Sequence, residues 1–240
     1  PSSPANGAVW YDGTDARQYV NGGWYTLTIV PEPTFYGNRG VFMGSSVNMD
    51  YFAISIAGNA TAFGDLSAAF YYSGATTNGS RGVMGGGTTN GAKNIMEYWT
   101  FATPSNSTDF GDLTLARNYP TAMTNGPRGV WAGGFTGAYI NIMDYVAIDT
   151  TGNAVDFGDL TTGRESAAAA STGTIGLIFG GSNGSATDTI DTITIATTGN
   201  ATNFGGVLLS ASRQLSGAGN ATRSLVAGGL GNSNVIQYVT

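Results

Sequence analysis

The side chains that could do chemistry in this chain are carboxylates, hydroxyls, amides and arginines, because its 240 residues include no histidine and no cysteine. A Ser-His-Asp or Cys-His nucleophile system is therefore excluded, as is a tight zinc or copper site, since these need imidazole or thiolate. Carboxylates remain as candidates for acid–base work. They fall into two series, Asp50, Glu97, Asp144 and Asp191, and Asp65, Asp112 and Asp159, each spaced by 47 residues. One acid per repeat is the pattern of a hydrogen-bonding role at turns and strand edges, not of a paired catalytic site. Asp188 and Asp191, with threonines beside them, offer the oxygen ligands that a hard cation such as Ca²⁺ takes. Asp-Phe-Gly at residues 109–111 and 156–158 matches a kinase magnesium motif in letters. It lacks the Gly-rich loop and following lysine that would give it that meaning. No catalytic residue, cofactor or metal site is expected, and the chain reads as a non-enzyme.

The elements that position these residues come from an internal repeat. Asp109-Phe110-Gly111-Asp112-Leu113 returns as Asp156-Phe157-Gly158-Asp159-Leu160, and more loosely around Phe63 and Phe204, so that four phenylalanines stand 47 residues apart. Acidic–tyrosine pairs, Asp50-Tyr51, Glu97-Tyr98 and Asp144-Tyr145, keep the same step, with Gln237-Tyr238 closing the series. A third marker is an apolar run entering glycine, seen at 41–44, 83–86, 130–134, 177–181 and 225–229. Each unit reads as four strands: a small, polar first strand (166–170), the apolar run, a third strand around the acid (142–148), and a fourth ending at the phenylalanine. Apolar residues on both faces of strands two and three indicate sheets sandwiched between neighbours. Small residues in strand one suit a crowded centre.

Five copies of strand two predict an all-β fold, a five-bladed β-propeller of about 47-residue, four-stranded blades occupying 1–240 as a single domain. Tyr11 falls in the repeat register beyond the C-terminus. Residues 8–11 are therefore expected to form the outer strand of the last blade, so that the N-terminal strand joins the C-terminal blade and closes the ring. The linking residues Arg117, Arg164 and Arg213, and the strand-two residues Arg39, Arg81, Arg128 and Arg223, recur with the blades and read as framework.

Composition limits the partners. Net charge is −6, Gly accounts for 38 residues, and the only lysine is Lys93. Phosphate recognition needs clustered cations, so nucleic acid is not expected. No apolar run is long enough to span a membrane as a helix. The repeat is broken between Arg17 and Arg39, where an insertion carries Trp24 and Tyr25 and is stiffened by Pro31 and Pro33. Aromatics on such a loop are candidate contacts. The loops joining strands two and three vary while the framework stays constant, and they share a face with the links between blades. Asn90, Tyr139, Asn183 and Asn232 on that face are the candidate ligand-binding residues, with Trp24 and Tyr25. Amides, hydroxyls and an aromatic platform suit a neutral sugar; the plain alternative is that these residues make tight, hydrated turns.

The apolar strand ending in Gly-Gly, the following tyrosine, the late aromatic and the linking arginine resemble kelch repeats over essentially the whole chain. The late aromatic departs from that pattern in being Phe or Tyr instead of Trp. The wording of the unit, Arg-Gly-Val…Gly-Gly…Asp-Tyr…Asp-Phe-Gly-Asp-Leu, resembles repeats in structural and fibre-like proteins of marine bacteriophages. That resemblance implies a virion-associated, extracellular module of a fibre, tail or capsid surface, with other virion proteins or host-surface glycans as partners. A kelch-type protein–protein adaptor is the alternative, and a propeller enzyme ranks third.

Overall fold

The computed structural model describes residues 9–11, 16–20, 23–27, 39–43, 46–230 and 234–240. The chain divides into two compact units, Pro1–Phe35 and Tyr36–Thr240. In the first unit, β1 (Val9–Tyr11), β2 (Ala16–Val20) and β3 (Gly23–Leu27) form an antiparallel sheet in that order. Trp10 pairs with Arg17, and Tyr19 with Trp24.

The second unit is all-β, and its sheets follow one another as the blades of a five-bladed propeller. Blade one contains β4 (Arg39–Met43), β5 (Asn48–Ala53) and β6 (Thr61–Asp65). Blade two contains β7 (Gly74–Thr77), β8 (Arg81–Gly85), β9 (Lys93–Thr100) and β10 (Thr108–Arg117). Blade three contains β11 (Thr121–Thr124), β12 (Arg128–Ala132), β13 (Ile142–Ala147) and β14 (Val155–Asp159). Blade four contains β15 (Ala168–Ser171), β16 (Ile175–Phe179), β17 (Thr187–Thr194) and β18 (Thr202–Ser212). Blade five contains β19 (Leu215–Gly219), β20 (Ser224–Gly228) and β21 (Ile236–Val239). Every pairing within a blade is antiparallel. The inner strands β7, β11, β15 and β19 pack against one another in sequence around the axis.

One expectation changes: the first strand of blade four begins at Ala168, not 166, because Ser166 has a left-handed backbone and cannot extend the strand. Residues 8–11 are expected to complete the last blade; Val9–Tyr11 is described within the first unit, where it pairs with Ala16–Val20, and the sheet of blade five has three described strands.

The acids and linking arginines form locks between successive blades. Asp144 on β13 is fully buried, ion-paired with Arg117 at the end of β10, and bonded by the Thr114 hydroxyl at 2.5 Å. One blade on, Asp191 accepts from Arg164 at 3.0 Å and from Thr161 Oγ1 at 2.6 Å. Burial lowers the pKa of both guanidiniums from their ordinary value, and the paired carboxylates pull in the opposite direction. At the preceding junction Phe70 takes the arginine position, and the buried Glu97 is satisfied by Ser67 and Ser107. At the last one Ser212 replaces the arginine and Gln237 the acid, leaving one neutral bond from Leu209 N to Gln237 Oε1 at 2.7 Å. Glu97, Asp144 and Asp191 are thus buried partners between blades, whereas Asp50 is exposed and Asp65, Asp112 and Asp159 are half-buried.

A second lock explains why Asp-Phe-Gly-Asp recurs together with Gly-Asn-Ala. Asn153 Oδ1 accepts from Asp112 N and Asn200 Oδ1 from Asp159 N, each at 3.1 Å. Gly152 N and Gly199 N donate to Phe110 O and Phe157 O at 2.7 Å. Gly111 has φ +138°, and a Cβ there would lie 2.5 Å from the Gly152 backbone, so only glycine admits this approach. The phenylalanine then buries against the next blade: Phe110 packs with Val146 and Ile148, Phe157 with Ile193 and Ile195.

Candidate ligand-binding site

Four non-glycine residues have positive φ among the described residues: Tyr72 at 59°, Tyr119 at 57°, Ser166 at 54° and Gln214 at 57°. Each holds the same place in its repeat, just before the inner strand of blades two to five. A left-handed backbone costs an L-residue about 1–2 kcal/mol. Here a hydrogen bond from one blade to the previous one fixes it: Tyr119 N donates to Tyr72 O at 2.8 Å, Ser166 N to Tyr119 O at 3.2 Å, and Gln214 N to Ser166 O at 2.8 Å. The result is an arc of strained residues around the propeller axis. Strain of this kind, held by surrounding structure, is concentrated at ligand sites.

These residues line a shallow depression of ≈ 170 Å³ together with Ser73, Pro120, Ala167 and Leu215. Tyr72 and Tyr119 stack with centroids 4.2 Å apart, and Tyr72 remains 54 % exposed. Burial raises the pKa of the Tyr119 hydroxyl, and its hydrogen bond to Tyr72 adds to that, so the Tyr119 phenol can both donate and accept a hydrogen bond. One residue before the arc come Tyr71, Asn118, Glu165 and Arg213. Burial raises the pKa of Glu165, and Arg213 partly offsets it. Arg213 was grouped with Arg117 and Arg164 by sequence, but it is displaced by one residue and Ser212 occupies the buried position.

Tyr71, Asn118 and Glu165 bridge to Thr88, Phe135 and Ser182, the first residues of the variable turns. Asn90, Tyr139 and Asn183 therefore do lie on the face of the depression, one turn outward from it. Tyr139 is partly exposed, packs on Phe135 at 5.2 Å, and reaches the blade-four turn at Gly184 beside Asn183. Asn90 and Asn183 are exposed on tight turns, with Gly91 N bonded to Thr88 Oγ1 at 3.0 Å and Asn183 N to Ser185 O at 3.2 Å. Trp24 and Tyr25 belong to β3 in the first unit, and their side chains, like the whole of Asn232, lie outside the described residues. The arc itself was missed from sequence. Its members are Tyr, Tyr, Ser and Gln, so what they share is backbone conformation and not residue type.

The carboxylate chemistry does not assemble. Among the described residues no three of Asp, Glu, His or Cys come together to hold a metal. Asp191, whose carboxylate with that of Asp188 offered oxygen ligands of the kind a hard cation takes, is committed to Arg164 and Thr161.

Fold and site together define, among the described residues, a β-propeller with an open, polar-aromatic depression beside its inner strands. Among solved structures the chain is similar to one titled "Structure of YjhT", with a TM-score of 0.66 and 11 % identity over 80 % of this chain and 70 % of that one. At that identity the likeness speaks for the fold alone. No family model matches the chain. No curated protein matches it either.

Proposed function

We propose that this chain is a non-enzymatic binding module that recognises neutral glycans at the axial depression and serves on the surface of a virion. The observation that carries the reading is the strained arc, Tyr72, Tyr119, Ser166 and Gln214, whose backbone is uniform while its side chains differ. Such a frame displays a stacked aromatic pair beside hydroxyls and an amide. That combination matches a sugar ring, which has an apolar face and a polar rim. The virion setting rests on the resemblance of the repeat wording to fibre-like phage proteins.

A glycan array probed with the parent chain and with a Tyr72→Ala/Gln214→Ala variant tests the binding. The parent should retain neutral oligosaccharides and the variant should lose them by about tenfold or more in affinity. Equal binding by both, or no sugar bound by the parent, overturns the site. Antibody labelling of purified particles tests the setting. Recovery of the chain only as free intracellular protein would favour a protein-binding adaptor.

A further inference from the structure

In four of the five blades the outer end of strand two carries an arginine lying over the tyrosine of strand three: Arg39 over Tyr51, Arg81 over Tyr98, Arg128 over Tyr145 and Arg223 over Tyr238, with guanidinium to ring-centroid distances of 4.2–4.9 Å. The guanidinium also bonds the following blade, Arg81 to Ile148 O at 2.9 Å and Arg128 to Ile195 O at 3.1 Å. Blade four has Ile175 and Thr192 at these two positions. Both replacements remove volume, and a cleft of ≈ 540 Å³ opens there, lined by Ile175, Ile193, Thr192, Thr194, Thr197 and Thr198 with the adjoining Gly199–Asn200 turn and Thr202. It lies at the opposite end of β16 from the axial depression, since Ile175 begins that strand and Phe179 leads to the turn beside Glu165.

We infer that the blade-four cleft is a second binding site, for a neutral oligosaccharide. Its size falls in the range of about 300–1,000 Å³ usual for small-molecule sites. No charged side chain lines it, so an ionic ligand would lose hydration without gaining a partner. The threonine hydroxyls both donate and accept, matching a polyol, while Ile175, 43 % exposed, and Ile193 supply an apolar floor. The walls are already fixed: Thr197 N bonds Thr194 O at 3.1 Å, Ile195 N bonds Thr174 O at 3.0 Å, and Gly199 N bonds Phe157 O at 2.7 Å. Such a preorganised wall spares the ligand an ordering cost.

The inference shares its ligand class with the axial site but rests on different residues, and the test separates the two. The ¹⁵N-labelled chain is titrated with maltose, lactose, cellobiose and N-acetylchitobiose while the backbone amides are followed by NMR. At least one sugar should move the amides of 192–202, and the Tyr72→Ala/Gln214→Ala variant should keep that response. An Ile175→Arg/Thr192→Tyr variant, which refills the cleft as its sister blades fill theirs, should fold, melt no lower than the parent, and bind about tenfold more weakly or not at all. A single Thr198→Ala variant, which leaves the fold intact, should weaken the same response. Unmoved amides at 192–202 with all four sugars would overturn the inference even if the axial amides shift. So would undiminished binding by the refilled variant.

Discussion

The junction between blades three and four and the junction between blades four and five use the same repeat positions and are built differently. At the first, Asp191 is held by Arg164 and Thr161, and Phe157 is 2 % exposed beneath the following blade. At the second, among the described residues, Gln237 accepts a neutral hydrogen bond from Leu209 N, Ser212 Oγ is buried without a partner, and Phe204 is 40 % exposed. Val207 and Leu209 are exposed beside it. A single extra residue in β18 accounts for much of this. The linking position steps by 48 from Ser166 to Gln214, and the bond that Thr161 N makes to Asp191 passes to Leu209 N. The lesson is that a blade's outer strand is buried by its neighbour, so each phenylalanine is only as protected as the lock that follows it.

The largest expected effect breaks that contrast at its charged end. Asp191→Ala leaves Arg164 buried and unpaired, which should cost about 3–5 kcal/mol and lower the melting temperature sharply. Gln237→Ala at the weak junction removes a neutral bond and should cost about 0.5–1.5 kcal/mol, with both variants compared by urea titration. Equal losses would mean that the two junctions are energetically alike.

The phenylalanines give the next test. Phe157→Ala removes a buried ring and should cost about 3–5 kcal/mol. Phe204→Ala should cost well under half of that, because much of the ring is already in water. A Phe204→Ala loss as large as that of Phe157→Ala in chemical denaturation would show that the ring is covered in solution.

The smallest effect sharpens the picture at the axial face. Burial raises the Glu165 pKa above its ordinary value of 4.5, with Arg213 opposing, so folding favours the neutral carboxyl. The stability this provides is present below pH 4.5 and is lost as pH rises through the raised value. Glu165→Gln should therefore match the parent in acid and be modestly more stable near neutrality. A variant gain that is largest in acid would reverse the sign of the argument.

The blade architecture was legible because its markers are residue types forced by packing. Phenylalanine must fill the gap between sheets, glycine must admit the next turn at Gly111 and Gly158, and the acid must meet a linking arginine. The axial arc was not legible, because the left-handed positions are Tyr72, Tyr119, Ser166 and Gln214, and no side chain announces a backbone held by hydrogen bonds from another blade. Asn90, Tyr139 and Asn183 stood out because their turns vary visibly, and the structure places those turns one step outward from the depression.

The central functional claim is that ligand engages the strained arc and not merely the turns around it. Backbone-amide NMR during titration with a neutral glycan selected on an array reads this directly. Shifts are expected at the amides of Tyr119, Ser166 and Gln214, whose hydrogen bonds carry the arc, and at Tyr72, whose carbonyl accepts the first of them. Shifts confined to the turns of Asn90 and Asn183, with the arc unmoved, would contradict it.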